Sequence, residues 1–147
     1  MELYTIGYEG LSQDSFLALL QRYEISVVAD VRRMPLSRKK GFSKSSLFQS
    51  LSEQHIEYLN YRELGTSKEM RCELKETGDY PTIFSEFKKS IADKNEPLDD
   101  IYSMVCSGKK VALLCYERQP QICHRKIVAE TIKERDGNGL KIKHLTP

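Results

Sequence analysis

Apolar positions along this chain keep two rhythms, and the places where one gives way to the other divide it into elements. Leu3-Tyr4-Thr5-Ile6 is a short extended run stopped by Gly7-Tyr8-Glu9-Gly10. Ser12 then offers a cap to a helix whose apolar stripe is Phe16, Leu17, Leu19, Leu20 and Tyr23. Ile25 to Val31 is a β-branched run interrupted only by Ser26, Ala29 and Asp30, the pattern of a strand covered on both faces. A loop containing Pro35 and Gly41 follows, and Ser43 opens a helix carrying Leu47, Phe48 and Leu51.

Ile56 to Tyr61 alternates and predicts a third strand. Arg62 to Thr77 carries many charges and few apolar anchors, so it is expected to be irregular or a short helix, with the character of a mobile flap. Tyr80-Pro81 opens a helix built on Ile83, Phe84, Phe87 and Ile91, and Pro97 opens another on Leu98, Ile101, Tyr102 and Val105 that Gly108 closes. Lys110 to Leu114 predicts a strand, a helix follows from near Ile122, Gly137-Asn138-Gly139 stops it, and Leu140 to His144 is a last short strand.

Strands alternating with helices predict an α/β fold, a three-layer α/β/α sandwich on a mainly parallel sheet of about five strands. A single domain over residues 1–147 is expected. In such sheets ligands bind beyond the carboxyl ends of the strands. The loops Gly7 to Gly10, Arg32 to Ser43, Tyr61 to Gly65 and Cys115 to Gln121 all follow predicted strands, and are therefore expected on one rim.

Composition narrows the setting. The chain is 39% hydrophobic and 30% charged, ordinary for a globular protein. No apolar stretch approaches the roughly 20 residues that span a bilayer. Met1-Glu2-Leu3-Tyr4 is unlike the start of a secretory signal, and four cysteines in that setting imply free thiols in a reducing cytoplasm. Cys72 and Cys106 stand apart and read as small buried or half-buried side chains.

The net charge of +2 conceals an asymmetry. Arg32, Arg33, Arg38, Lys39, Lys40 and Lys44 crowd one loop without an acidic residue; removing these six from 23 basic residues leaves 17 against 21 acidic ones, a net −4. Such a patch implies an anionic partner: a phosphate-bearing ligand, DNA and RNA included. Arginine grips phosphate bidentately, Ser37 adds a hydroxyl, and Phe42 is available to stack on a base. Asp30, two residues before Arg32 on one strand face, either belongs to that anion site or pins the loop through an ion pair.

The densest chemistry lies between Cys115 and Arg125, where two thiols, Glu117, His124 and Arg125 share one strand-to-helix turn. Cys115 reads as the end of a buried strand. Cys123, placed in the first turn of the next helix, has the dipole and free N–H groups that lower a thiol pKa. His124 falls on the apolar face with Val128 and Ile132, beside Glu117, which can fix its tautomer. The candidates for catalysis are thus Cys115, Glu117, Cys123 and His124, and for holding the anion Asp30, Arg32, Arg33, Ser37, Arg38 and Arg125. Zinc is disfavoured, because paired C-x2-4-C ligands are missing and adjacent Cys123 and His124 on a helix point about 100° apart. Arginine does not stand six residues after either cysteine, as phosphatase and rhodanese loops require, and neither G-x-G-x-x-G nor G-x-x-x-x-G-K-[ST] occurs. No cofactor is implied.

Thr5-Ile6-Gly7, Asp30-Val31-Arg32 with Pro35-x-Ser37, Leu64-Gly65, and C-x-E-x-x-P-x-x-C-H-R from Cys115 to Arg125 closely resemble the domain-of-unknown-function 488 family, in the same order over nearly the whole chain. Tyr8-Glu9 stands where many relatives carry His-Ser, and Thr66 where a second glycine is common. The resemblance implies the fold and the location of the site, and no particular reaction. Three readings remain: an enzyme or enzyme-like protein acting on a phosphate-bearing substrate, a non-catalytic nucleic-acid-binding module, and a partner-binding protein using Tyr61 to Thr77 as its contact surface.

Overall fold

The computed structural model describes residues 1–147. Five strands, β1 (Glu2–Gly7), β2 (Val27–Asp30), β3 (Glu57–Asn60), β4 (Val111–Cys115) and β5 (Lys141–Leu145), form one sheet in the order β3-β2-β4-β1-β5. Every pairing is parallel. Six helices cover it: α1 (Gln13–Arg22), α2 (Lys44–Glu53), α3 (Lys68–Thr77), α4 (Tyr80–Ile91), α5 (Asn95–Cys106) and α6 (His124–Arg135). The α/β sandwich read from the pattern is what the chain forms. No helix is long and apolar enough to cross a membrane.

The central strands β2 and β4 are buried along their whole length, because they show side chains to a core on each face. One core gathers Phe16, Leu19 and Leu20 of α1 and Leu47 and Leu51 of α2 against Val28, Ala112 and Leu114. The other sets Phe87 and Ile91 of α4, Leu98 and Ile101 of α5, and Val128 and Ile132 of α6 against Val27, Ala29 and Leu113. Neighbouring β2 and β4 hand the chain to opposite faces: β2 leads to α2 and outward to β3, whereas β4 leads to α6 and outward to β5. Their loops diverge and leave a crevice at the carboxyl edge, the usual position of a site in such sheets.

Local signals explain some of the element ends. Ser12 caps α1 by accepting from the Ser15 N–H at 3.1 Å, and Asp79 caps α4 ahead of Pro81. The segment from Arg62 to Thr77 is more ordered than expected: a single 3-10 turn at Arg62–Leu64 precedes the ten-residue α3, capped by Ser67 and closed by left-handed Gly78. No residue of α3 is buried, which is why apolar anchors are sparse there. Phe48 is exposed, and so are Cys72 and Cys106, against their expected burial. Ser43 stands at the start of α2, but its hydroxyl turns back to Ser37, accepting from the Ser37 N–H at 3.0 Å.

Candidate functional site

At the end of β2, Asp30 and Arg32 form a closed buried unit. Asp30 Oδ1 accepts from the Arg32 main-chain N–H at 3.0 Å and from Arg32 Nε at 2.9 Å, while Oδ2 accepts from Nη2 at 2.7 Å and from the Tyr58 hydroxyl at 2.5 Å. Arg32 Nη1 donates to the Phe42 carbonyl at 2.8 Å and the Tyr8 hydroxyl at 3.1 Å. Of five guanidinium N–H groups only one on Nη2 is left without a partner here. The pair therefore pins the basic loop to the sheet, and Asp30 has no capacity for an external ligand. Phe42 is fully buried, with its ring stacked on Tyr8 at 4.5 Å, so it is closed to a nucleobase.

At the end of β4 the chain passes close over β1. Tyr8 N–H donates to the Cys115 carbonyl at 3.2 Å and Glu9 N–H to the Tyr116 carbonyl at 2.8 Å. Arg125 lies beneath this crossing, fully buried. It donates Nε to Thr5 Oγ1 at 3.1 Å, Nη1 to the Glu117 carbonyl and Nη2 to the Arg118 carbonyl at 3.3 Å. Arg125, expected to hold an anion, thus lies under the loop with its donors on main-chain and hydroxyl oxygens. Sequence position could not distinguish an arginine on the rim from one supporting it.

The reactive side chains do converge. Cys115 Sγ lies 3.3 Å from Glu117 Oε2 and 3.5 Å from His124 Nδ1. His124 Nε2 lies 2.8 Å from the Val31 carbonyl. A carbonyl only accepts, so Nε2 carries a proton and Nδ1 is the nitrogen presented to sulfur. Phe87 meets the imidazole edge-to-face at 5.4 Å between centroids. The ligand atoms of Cys115, Cys123 and His124 all lie within 4.8 Å of one another, and all three residues are buried.

Cys123 reaches this group because it is not in the helix. Pro120–Ile122 closes a 3-10 turn, and Cys123 follows as the N-cap with extended backbone, φ −122 and ψ 135. Helix α6 starts at His124, two residues later than expected. The 100° separation of neighbouring helical side chains does not apply across a cap, and both side chains turn toward Cys115.

Burial pushes the Cys115 thiol well up, and its hydrogen bond and proximity to Cys123 add to the rise. Burial also opposes a Cys123 thiolate, but hydrogen bonding from Cys115 and His124, with the charges of His124 and Arg125, holds Cys123 well below its ordinary value. For His124, burial favours the neutral ring, yet its interaction with Cys123 and the Val31 carbonyl raises it overall. Burial, then the Cys123 charge, pushes the Glu117 carboxyl up to about 7. The surroundings thus favour the thiolate at Cys123 over that at Cys115, and Glu117 exchanges its proton near neutrality.

Above it opens a cleft of about 720 Å³. Cys115, Glu117 and His124 line it and Cys123 does not. Arg33 and Arg38 from the β2 loop face it, as expected, and Ser37 lines it while its hydroxyl accepts from the Lys39 N–H at 3.1 Å. Arg71 and Lys75 of α3 complete the rim. None of these four cations is in an ion pair; Arg71 donates to the Thr66 carbonyl at 2.6 Å. Arg71 and Lys75 escaped sequence reasoning, although their four-residue spacing around Leu74 is the available signal. Exposed Met34, Leu36 and Tyr116 supply apolar surface beside the cations.

Chemically, the floor offers a thiol beside an imidazole, a carboxyl that exchanges its proton near neutral pH, and three soft-to-borderline ligand atoms suited to a transition-metal ion. None of the curated proteins and none of the solved structures matches the chain. Residues 12–132 match the family model described as Domain of unknown function DUF488, which is well over half of the sequence, and the chain belongs to that family.

Proposed function

We propose that the protein is an enzyme acting on a phosphate-bearing substrate, a nucleotide or the exposed end of a nucleic acid, bound at the carboxyl rim of the sheet. One observation supports it most. Four unpaired cations, Arg33, Arg38, Arg71 and Lys75, surround a cleft whose single acidic lining residue, Glu117, lies at the floor beside Cys115 and His124. A rim net positive by three charges attracts and orients phosphate. Met34, Leu36 and Tyr116 offer flat apolar contacts for a base. Glu117 sits where a reacting group above the sulfur cluster would gain or lose a proton. In this reading Asp30 and Arg125 build the site rather than touch the ligand, while Arg32, held by Asp30, also lines the cleft.

Fluorescence anisotropy with a labelled 12-nucleotide DNA and its RNA counterpart, competed by pyrophosphate, tests binding; product analysis after incubation tests turnover. Binding that weakens at least tenfold in Arg38→Ala and Arg71→Ala, with Glu117→Gln binding normally but losing turnover, is the expected result. No affinity for either polymer or for pyrophosphate at low salt would sink the reading. Binding without any turnover, indifferent to Glu117→Gln, would instead favour the non-catalytic nucleic-acid module.

A further inference from the structure

From the convergence of Cys115 Sγ, Cys123 Sγ and His124 Nδ1 beneath an open cleft, we infer that the chain binds one zinc-class divalent ion through these three atoms, with the fourth coordination position facing the cleft. With Zn–S of about 2.3 Å and Zn–N of about 2.0 Å, the corners of a tetrahedral site are about 3.5–3.8 Å apart. The sulfur of Cys115 and Nδ1 of His124 are 3.5 Å apart, and the three atoms lie within 4.8 Å of one another. Contraction of about 1.0–1.3 Å along the widest edge closes the site around zinc.

A second, independent feature is the orientation of the imidazole. A ligating histidine usually donates its other ring N–H to a carbonyl or carboxylate, which fixes the tautomer and aims the lone pair. His124 does this through Nε2 to the Val31 carbonyl at 2.8 Å, and Phe87 packs against the ring. The extended backbone of Cys123 provides the third corner from below, and its side chain has no access to the cleft. Two thiols and an imidazole buried together are better matched to a soft ion than to water.

The arrangement differs from a structural zinc site, where four protein ligands close the sphere. Here only three converge, while Cys115, Glu117 and His124 all border the opening. Glu117 Oε2, 3.3 Å from Cys115 Sγ, flanks the open position. Its role there is to take the proton of an attacking water and return it to the leaving group, so hydrolysis consumes water and no other co-reactant. The sulfurs are then ligands rather than nucleophiles. That hydrolytic role rests on the substrate reading above; ion binding does not.

The test is metal content and cobalt spectroscopy on the reduced full chain. Protein produced with zinc supplied should carry about one ion per chain, and cobalt exchanged into it should show thiolate charge-transfer absorption with the visible bands of a tetrahedral ion. Cys123→Ser and His124→Ala should lose the stoichiometric ion, whereas Cys72→Ser and Cys106→Ser keep it. Because a ligand variant can fail to fold, the cobalt spectrum of the unaltered protein decides independently whether sulfur binds the ion. Absence of zinc together with no cobalt–thiolate absorption overturns the inference, as does full binding by folded Cys123→Ser. Arg38→Ala and Arg71→Ala should keep the ion, so a failed substrate reading and a failed metal site remain distinguishable.

Discussion

Gly7 and the main chain of Glu117 are in such close approach that a Cβ on Gly7 would lie 1.8 Å from the Glu117 carbonyl oxygen. That carbonyl is also the acceptor of Arg125 Nη1. The end of β1, the catalytic-loop candidate and the buried arginine are thus one packed unit, and the position of Glu117 depends on a missing side chain on another strand.

Gly7→Ala should therefore destabilise the fold by at least about 2 kcal/mol, as overpacking does where only backbone can yield. Urea unfolding measures it. An unchanged midpoint would mean that the β4 loop moves freely and that the cluster is not held as described. Gly78→Ala, where no atom crowds the position but φ is +65, should cost less.

The buried Asp30–Arg32 pair makes a stronger prediction. Asp30→Asn leaves Arg32 without its counter-charge in a buried position and should cost about 3–5 kcal/mol. Lys88→Ala, at an exposed ion pair with Glu134, should barely move the unfolding midpoint. Equal effects of the two substitutions in denaturant melts would contradict the assignment of Asp30 as a pin.

His144 gives a pH dependence. Burial, then the positive charges of Arg125 and Lys126, lowers its pKa below the ordinary value, and its Nδ1 lies 2.6 Å from Thr5 Oγ1. Below about pH 6.5 the unfolded chain binds a proton here that the folded chain resists, so stability falls as pH drops. His144→Gln should lose less stability than the unaltered protein between pH 7.5 and pH 5.5, roughly the window that spans this titration. An identical acid-side loss would show that His144 is equally protonated in both states.

Thiol accessibility orders the cysteines. Cys72 and Cys106 are exposed, whereas Cys115 and Cys123 are buried. Alkylation followed by mass spectrometry of metal-free reduced protein should label the first pair rapidly, Cys115 more slowly through the cleft, and Cys123 last. Labelling of Cys123 ahead of Cys115 would be inconsistent with a cleft that Cys115 lines and Cys123 does not.

Salt dependence separates rim from support. Replacing Arg33, Arg38, Arg71 or Lys75 by a neutral residue should each reduce the salt slope of nucleic-acid binding by about one. Lys126→Ala, outside the cleft lining, should leave the slope unaltered. A uniform effect across all five positions would point to diffuse surface attraction.

Much of the architecture was legible in residue order. The runs at Leu3 to Ile6, Ile25 to Val31 and Val111 to Leu114, separated by helical stripes, imply a parallel sheet because strands buried on both faces are largely apolar. The loops carrying Arg32 and Cys115 were placed on one rim by the same reasoning. Helix α3 was less visible, since its order comes from Ser67 and Gly78 at its ends rather than from buried side chains.

By itself the sequence determined the elements, the alternation that makes the sheet parallel, and the segment in which chemistry is concentrated. Those properties follow from local periodicity and from the cost of burying charged groups. Only the tertiary structure decided what each polar group does. It turned Asp30 and Arg125 inward as supports, held Arg32 at the cleft wall through Asp30, brought Arg71 and Lys75 to the rim from a distant helix, and stacked Phe42 beneath Tyr8. It also drew Cys123 out of the helix to stand with Cys115 and His124. Function at this rim depends on the direction of side chains from several loops, and direction is set by backbone conformation and packing partners far apart in the chain.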